Sequence, residues 1–257
     1  MIILGFDCAN KSLGVTIAMF NKQYKDDINK YILKKITQIK NKKILNTTHP
    51  IQIDLSKVNP LLNAKNNINY TFNRENIDNS RGIIIKLNKK IDNSLNIVYV
   101  NVFDLIPNIK IKDSTLLDRT ISLKKILNNL DDIINTYNDK LELVLIEYQM
   151  NLNDKSRDIS GKIMYHYCNN ITNNIKLIGP SLKQKISFNE KLHYNHYIQR
   201  YNSLYRANKK HSADNFLHWI NLFNKNDLIK HIKNKNIDDA ADSFIMIYAY
   251  LKKYNYI

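Results

Sequence analysis

Carboxylate side chains stand directly after two apolar segments of the sequence. Asp7 follows the apolar run 2–6, and Glu147 follows the apolar run 141–146. Apolar runs of this length predict strands, and functional groups of open α/β sheets gather where the strands end. An Asp or a Glu after a strand also commonly just starts a turn. Either acid alone therefore indicates little, and a third acidic group changes the interpretation.

That third group lies near the end of the sequence, in residues 238–242. Asp239 and Asp242 are three positions apart and therefore share one face of a helix, beside two alanines that would let the helix approach a sheet closely. An alternative is that Asp238 caps the helix and Asp239 complements the positive end of its dipole. This alternative explains Asp238 well and Asp242 poorly.

The acids together indicate one kind of chemistry. Carboxylates without accompanying His or Cys favour hard cations that prefer oxygen ligands, which means Mg²⁺ or Mn²⁺ rather than Zn²⁺. Two such ions can activate a water and stabilise the leaving oxygen of a phosphodiester. The residue types therefore point to hydrolysis of a phosphodiester.

The elements that must position these acids alternate between strand and helix patterns. Such alternation predicts an α/β sheet with parallel members. The predicted strands cover residues 2–6, 13–20, 96–105, 141–146 and 175–178, and the predicted helices cover 116–137, 158–173, 207–223 and 238–254. Residues 21 to about 95 are rich in Lys and Asn and have weak periodicity, so we interpret them as an insertion into a single domain that spans 1–257.

Composition narrows the class of partner. Lys and Arg number 39 against 23 Asp and Glu, which gives a formal net charge of +16. Such an excess favours binding to a phosphate backbone. No apolar run approaches the roughly 18 residues that a membrane-spanning helix needs, so we expect no membrane partner. Cys8 and Cys168 are too few and too far apart for a disulfide framework, and we expect an intracellular protein.

Three stretches of the sequence resemble the acidic motifs of one family. Residues 1–10, 146–149 and 238–243 are similar to the motifs of RuvC-type Holliday junction resolvases in the ribonuclease H-like superfamily, and the poxvirus-like viral and mitochondrial resolvases look closest. The order agrees, because the family places an Asp on its first strand, a Glu on its fourth and an Asp-x-x-Asp pair on a late helix. The resemblance covers residues 1–20 and about 96–254.

The resemblance implies a fold and a metal centre. The fold is a ribonuclease H-like mixed five-stranded sheet flanked by helices, with the long insertion after the first hairpin. The implied cofactor is Mg²⁺, with Mn²⁺ as a substitute, at two ions per site. The implied catalytic metal ligands are Asp7, Glu147, Asp239 and Asp242.

The resemblance also implies an activity and an assembly. Family members are metal-dependent endonucleases that resolve four-way DNA junctions by paired symmetric nicks, in recombination, repair or viral genome processing. A homodimer suits this reaction, because a two-fold protein presents two identical sites to a nearly two-fold substrate. The apolar residues at helical spacing predict a buried stripe, part of which could pack against a second subunit: Phe216, Trp219, Ile220 and Phe223. A viral origin would place the protein at a cytoplasmic replication site.

Basic residues are the other group that the family uses, with lysines near the scissile phosphate. Residues 179–185 and 207–210 resemble those positions, which selects Lys183 and then Lys209 or Lys210 as catalytic lysines. Solvated surface charge is the alternative in a chain so rich in lysine. The predicted DNA-binding residues are Lys183, Lys185, Arg200, Arg206, Lys209 and Lys210, and the tyrosines interleaved with the two arginines suit base stacking or form a packing face.

Two other functions share most of these features. A related ribonuclease H-like nuclease that acts on RNA–DNA hybrids or on other branched DNA would use the same acids. A non-catalytic basic DNA-binding protein would keep the fold, although retention of four candidate acids argues against it. A panel of substrates separates the nucleases from one another, and metal dependence separates both from a binding protein.

Overall fold

The computed structural model describes residues 1–21, 95–148 and 154–257. The strands of this part are β1 (Ile2–Cys8), β2 (Ser12–Phe20), β3 (Leu95–Asp104), β4 (Leu141–Glu147) and β5 (Ile175–Ile178). Its α-helices are α1 (Leu116–Asn135), α2 (Asp154–Asn170), α3 (Tyr194–Arg200), α4 (Leu204–Leu222) and α5 (Ile237–Lys253). None of the described helices is long and apolar enough to cross a membrane.

The strands form one mixed sheet in the order β3-β2-β1-β4-β5. β1, β2 and β3 pair antiparallel, whereas β4 and β5 run parallel to β1. The predicted mixed five-stranded sheet flanked by helices is confirmed. The parallel pairing of β1 with β4 brings their carboxyl ends to the same edge, where Asp7 and Glu147 lie.

The central strand β1 is buried on both faces, which explains its unbroken apolar run. Successive side chains of a strand point to opposite faces. Ile2, Leu4 and Phe6 belong to a core cluster with the inner faces of α1 and α2. Gly5 faces the other side, where an added Cβ would lie 2.5 Å from the carbonyl oxygen of Ser243 in α5. The sheet is therefore covered by helices on each face.

The aromatic stripe of α4 packs within the chain. The rings of Phe216 and Trp219 lie 5.5 Å and 4.9 Å from the ring of Phe244 in α5. Phe216 and Trp219 are at most 1% exposed, and Ile220 is fully buried. These three side chains dock α4 onto α5, and the expected contact of part of the stripe with a second subunit stays a prediction.

Several element ends differ from the sequence-based prediction. The helix predicted at 158–173 spans Asp154–Asn170, and the helix predicted at 207–223 begins at Leu204. The prediction missed the first turn of α4 because the apolar side chains of this turn face solvent and do not continue the buried stripe. Leu204 is 65% exposed and Tyr205 is 69% exposed. The N-cap of α5 is Asn236, so the alternative in which Asp238 caps this helix is wrong. The predicted insertion after residue 21 lies outside the described residues, and the single-domain organisation stays a prediction.

A buried arginine fixes the turn between β1 and β2. Arg119 in α1 is fully buried, and its Nε donates to the carbonyl oxygen of Asn10 at 2.9 Å. Its Nη1 donates to the carbonyl oxygens of Thr115 and Ser114, and its Nη2 donates to the Ser114 hydroxyl at 2.6 Å. The Asn10 side chain in turn accepts from Ser156 in α2 at 3.1 Å. The guanidinium thus joins the turn that follows Asp7 to the start of α1.

Arg119→Lys is expected to lower the free energy of unfolding by about 2–4 kcal/mol. A lysine ammonium lacks the planar fork that serves these acceptors together, and it leaves buried carbonyl groups unsatisfied. Urea unfolding of the variant measures the loss. Arg157→Lys is the matched control, because Arg157 lies on α2 with its side chain 51% exposed. Equal stability of the two variants would contradict the role given to Arg119.

Candidate active site

The four predicted acids line one cleft at the carboxyl edge of the sheet. Asp7 lies next to the last residue of β1, and Glu147 is the last residue of β4. Asp239 and Asp242 come from the first turns of α5. The cleft has a volume of about 850 Å³. Its wall includes all four acids together with Lys183 and Lys209.

Close approach of α5 to the sheet brings these acids together. Gly14 in β2 pairs with Asp7, and a Cβ added at Gly14 would lie 2.2 Å from the backbone oxygen of Asp239. The Ser12 hydroxyl donates to Asp239 Oδ2 at 2.7 Å. Deeper in the contact, the hydroxyls of Thr16 and Ser243 share a buried hydrogen bond of 2.7 Å. Because Gly14 has no side chain, the first turn of α5 can lie this close to β2.

Asp7 and Glu147 form a crowded acidic pair. Asp7 is 5% exposed, and its burial together with the neighbouring charge of Glu147 raises the pKa of Asp7 well above its ordinary value. Burial also works against the charged form of Glu147, but its hydrogen bond with Asp7 and the charge of Lys183 outweigh burial and lower the pKa of Glu147. Burial and the neighbouring charge therefore disfavour the charged form of Asp7, whereas Lys183 favours the charged form of Glu147.

Lys183 neutralises one side of the cluster. It lies in the 3₁₀ turn Pro180–Lys185 that follows β5, and its side chain is 9% exposed. Lys183 Nζ is 2.7 Å from Glu147 Oε1 and 3.3 Å from Asp242 Oδ1. Although burial opposes the charged form, the carboxylates of Asp242, Asp7 and Glu147 raise the pKa of Lys183 above its ordinary value. Lys183 is therefore a fixed cation in the cleft.

Lys209, from α4, reaches the other side of the same acids. Lys209 Nζ is 3.0 Å from Asp239 Oδ1 and 3.0 Å from Asp242 Oδ2. It also lies 3.8 Å from Asp7 Oδ2 and 3.7 Å from Asp238 Oδ2. Burial opposes its charge, but the surrounding carboxylates raise the pKa of Lys209. One ammonium group is thus surrounded by four carboxylates.

Asp242 stands between the two lysines. Burial would raise its pKa, but the charges of Lys183 and Lys209 and a hydrogen bond from Ser212 together lower it. Asp242 is 6% exposed and is therefore a buried carboxylate held ionised by two cations. The alternative that the acids of residues 238–242 serve only to cap α5 does not account for this environment.

The donor set fits the divalent cation that the resemblance implies. Carboxylate oxygens alone are the ligands that Mg²⁺ and Mn²⁺ prefer. Of the described residues, no three Asp, Glu, His or Cys side chains are arranged to hold a metal ion in this structure. The Lys209 ammonium lies 3.0 Å from an oxygen of Asp239 and 3.0 Å from an oxygen of Asp242.

The remaining predicted basic residues lie elsewhere. Lys210 points away from the acids, and its Nζ forms a salt bridge with Asp214 at 2.8 Å. Arg200 lies over the ring of Tyr201, 5.8 Å from the centroid. Neither these residues nor Lys185 and Arg206 are among those that line the cleft. Their predicted contacts with DNA stay predictions.

Sequence reasoning missed several polar residues of the cleft. Ser12 and Ser212 hydrogen-bond to Asp239 and Asp242, and Asn10, Asn208 and His211 also line the wall. Ser212 was detectable in part, since it follows Lys209 by three positions and so lies on the same face of α4. Ser12 gave no signal, because its partner is 227 positions away in the chain.

Comparisons with known proteins find a similarity among solved structures. A scan against protein families finds no match, and a search of curated proteins finds none. Among solved structures, the chain is similar to the crystal structure of Fowlpox virus resolvase and substrate Holliday junction DNA complex. The sequence identity is 16%, the TM-score is 0.45, and 99% of each chain is covered. The roles of residues rest on the geometry of this chain.

Proposed function

We propose that this protein is a divalent-metal-dependent DNA endonuclease that resolves four-way junctions by paired nicks. The observation that carries the proposal is the convergence of Asp7, Glu147, Asp239 and Asp242 on one cleft, together with two lysines. The acids come from three elements that are distant in sequence. A cluster of buried like charges is costly to the fold, so its presence in a cleft favours a functional site.

The residues of the chain divide the chemical work. Asp7, Glu147, Asp239 and Asp242 would hold Mg²⁺ or Mn²⁺, at two ions per site. When bound, such ions supply an activated water and stabilise the leaving oxygen of a phosphodiester. Asp7 would serve as a ligand in its ionised form. Lys183, held in place by Glu147 and Asp242, offers a positive charge to the scissile phosphate. The expected products carry a 5′-phosphate and a 3′-hydroxyl.

Branched DNA as the substrate rests on the motif resemblance and on charge. The formal net charge of +16 suits a substrate with many phosphates, and it predicts binding that weakens steeply as salt rises. A homodimer follows from the same proposal, because each chain brings one acidic cluster and a junction needs two opposed cuts. The two cuts would then arise from identical sites related by a two-fold axis.

Metal dependence and substrate class are tested in one cleavage assay. We expect the wild-type protein to cut an end-labelled four-way junction in Mg²⁺ and to leave it intact in EDTA. The control substrates are the linear duplexes of the same arms and an RNA–DNA hybrid of the same sequence. Cleavage in EDTA would contradict the metal centre. Faster cleavage of the duplex or of the hybrid than of the junction would contradict the proposed substrate while leaving the acidic centre in place.

A further inference from the structure

We propose that the Lys209 ammonium is a built-in counter-cation that occupies the divalent metal position and must withdraw before the metal can bind. This inference rests on the proposed metal centre and concerns how that centre is loaded. It accounts for two observations at once: the acids converge, and yet the described residues offer no ready group of three metal ligands.

The position of the ammonium is the main argument. Lys209 Nζ lies within 4 Å of the carboxylates of Asp7, Asp238, Asp239 and Asp242, three of which are proposed metal ligands. A magnesium ion binds carboxylate oxygens at about 2.0–2.1 Å. Nζ now contacts Asp239 Oδ1 and Asp242 Oδ2, each at 3.0 Å, so an ion that takes these two oxygens as ligands would compete with the ammonium for them. Overlap and charge repulsion make the two occupants exclusive.

The two lysines of the cleft differ in how easily they can leave. The Lys183 side chain is 9% exposed and contacts Asp242 through Oδ1, whereas Lys209 is 22% exposed and contacts Asp242 through Oδ2. Lys209 stands on α4 beside Lys210, whose side chain is 50% exposed. A long lysine side chain can move its ammonium to solvent while its Cα stays fixed. Lys209 is therefore the group that moves, and Lys183 stays with either state.

The negative charge of the acids explains why a divalent ion would replace the Lys209 ammonium. Without a metal, the acidic side chains that lie within 4 Å of one point need a positive charge, and Lys209 supplies one. A divalent ion supplies twice that charge at a shorter distance and so displaces the ammonium. The tether makes the lysine a permanent competitor, which sets a lower limit on the metal concentration at which the site loads.

The test compares Mn²⁺ affinity of Lys209→Met and Lys210→Met by calorimetry, without DNA. Both variants lose one positive charge from neighbouring positions of α4, but only Lys209 contacts the acids. We expect Lys209→Met to bind Mn²⁺ at least about tenfold more tightly than wild type, since one repulsive charge is removed. Lys210→Met is expected to bind Mn²⁺ as wild type does.

A second measurement needs no variant and remains valid if Lys209→Met folds poorly. Amine acylation mapped by mass spectrometry reports how exposed each lysine is. We expect Mn²⁺ to increase the labelling of Lys209 by severalfold and to leave that of Lys210 unchanged. This readout is independent of cleavage.

The outcomes separate this inference from the proposed function. The exchange is overturned if wild type binds Mn²⁺, Lys209→Met binds it equally or more weakly, and Mn²⁺ leaves the labelling of Lys209 in wild type unchanged. That result would leave the metal centre standing. No Mn²⁺ binding by wild type or by either variant would overturn both. Tighter binding by Lys209→Met alone, with metal-dependent labelling of Lys209, supports the exchange.

Discussion

Asp7→Asn is expected to lower the rate of junction cleavage by about three orders of magnitude, because loss of a metal ligand forfeits several kcal/mol of transition-state stabilisation. The same variant should fold at least as stably as wild type when no metal is present. Burial and the charge of Glu147 already favour the protonated form of Asp7, and they raise its pKa. An asparagine amide donates to the Glu147 carboxylate as the protonated acid does.

This separation of activity from stability distinguishes a functional acid from a structural one. Cleavage rates in Mg²⁺ and urea unfolding in EDTA are the two measurements. Asp139→Asn is the matched control, since it removes one negative charge from a residue whose side chain is 46% exposed and contacts the N-terminus. A stable Asp7→Asn protein that still cleaves at the wild-type rate would remove Asp7 from the site. Marked destabilisation with a proportionate loss of activity would make its role structural.

Gly14→Ala has the largest expected effect on stability, a loss of about 3 kcal/mol or more. The new Cβ would lie 2.2 Å from the carbonyl oxygen and 2.7 Å from the carbonyl carbon of Asp239. Those atoms belong to the backbone of α5 and cannot rotate away as a side chain would, so the helix must shift. Overpacking of a core typically costs 1–3 kcal/mol, and a backbone clash lies at or above the upper end of that range.

Gly161→Ala is the control for this prediction. Gly161 lies in α2, and an added Cβ would meet nothing within 4 Å. Alanine is favoured over glycine inside a helix by about 1 kcal/mol, so this variant should be as stable as wild type or more stable. Urea midpoints of the two variants give the comparison. If Gly14→Ala unfolds at the wild-type midpoint, the close approach of α5 to the sheet is not as tight as described.

The acids were predictable from the sequence because each lies at a recognisable place. Asp7 and Glu147 close apolar runs whose length and composition predict strands, and the parallel pairing of β1 with β4 brings the two together. Asp239 and Asp242 share a helical face that can be read from their spacing. Local sequence therefore indicates both the elements and the acids, and the pairing of strands and the docking of α5 on the sheet assemble them.

The choice among lysines was not predictable. Lys209 and Lys210 are adjacent in a chain with 39 Lys and Arg residues, and no local pattern separates them. The packing of α4 against α5 decides which lysine reaches the cleft. It turns Lys209 towards the acids, whereas Lys210 forms a salt bridge with Asp214. The contact at Gly14 was equally hidden, since Gly14 and Asp239 meet only in the folded chain.

Mapping of the cuts on a four-way junction tests the central claim most directly. The junction is labelled on each of its four strands in turn and cleaved by the wild-type protein in Mg²⁺. The account predicts nicks at symmetric positions in two opposed strands, with 5′-phosphate and 3′-hydroxyl ends that DNA ligase can reseal. Cuts scattered along all four strands, ends that cannot be ligated, or an intact junction would contradict it.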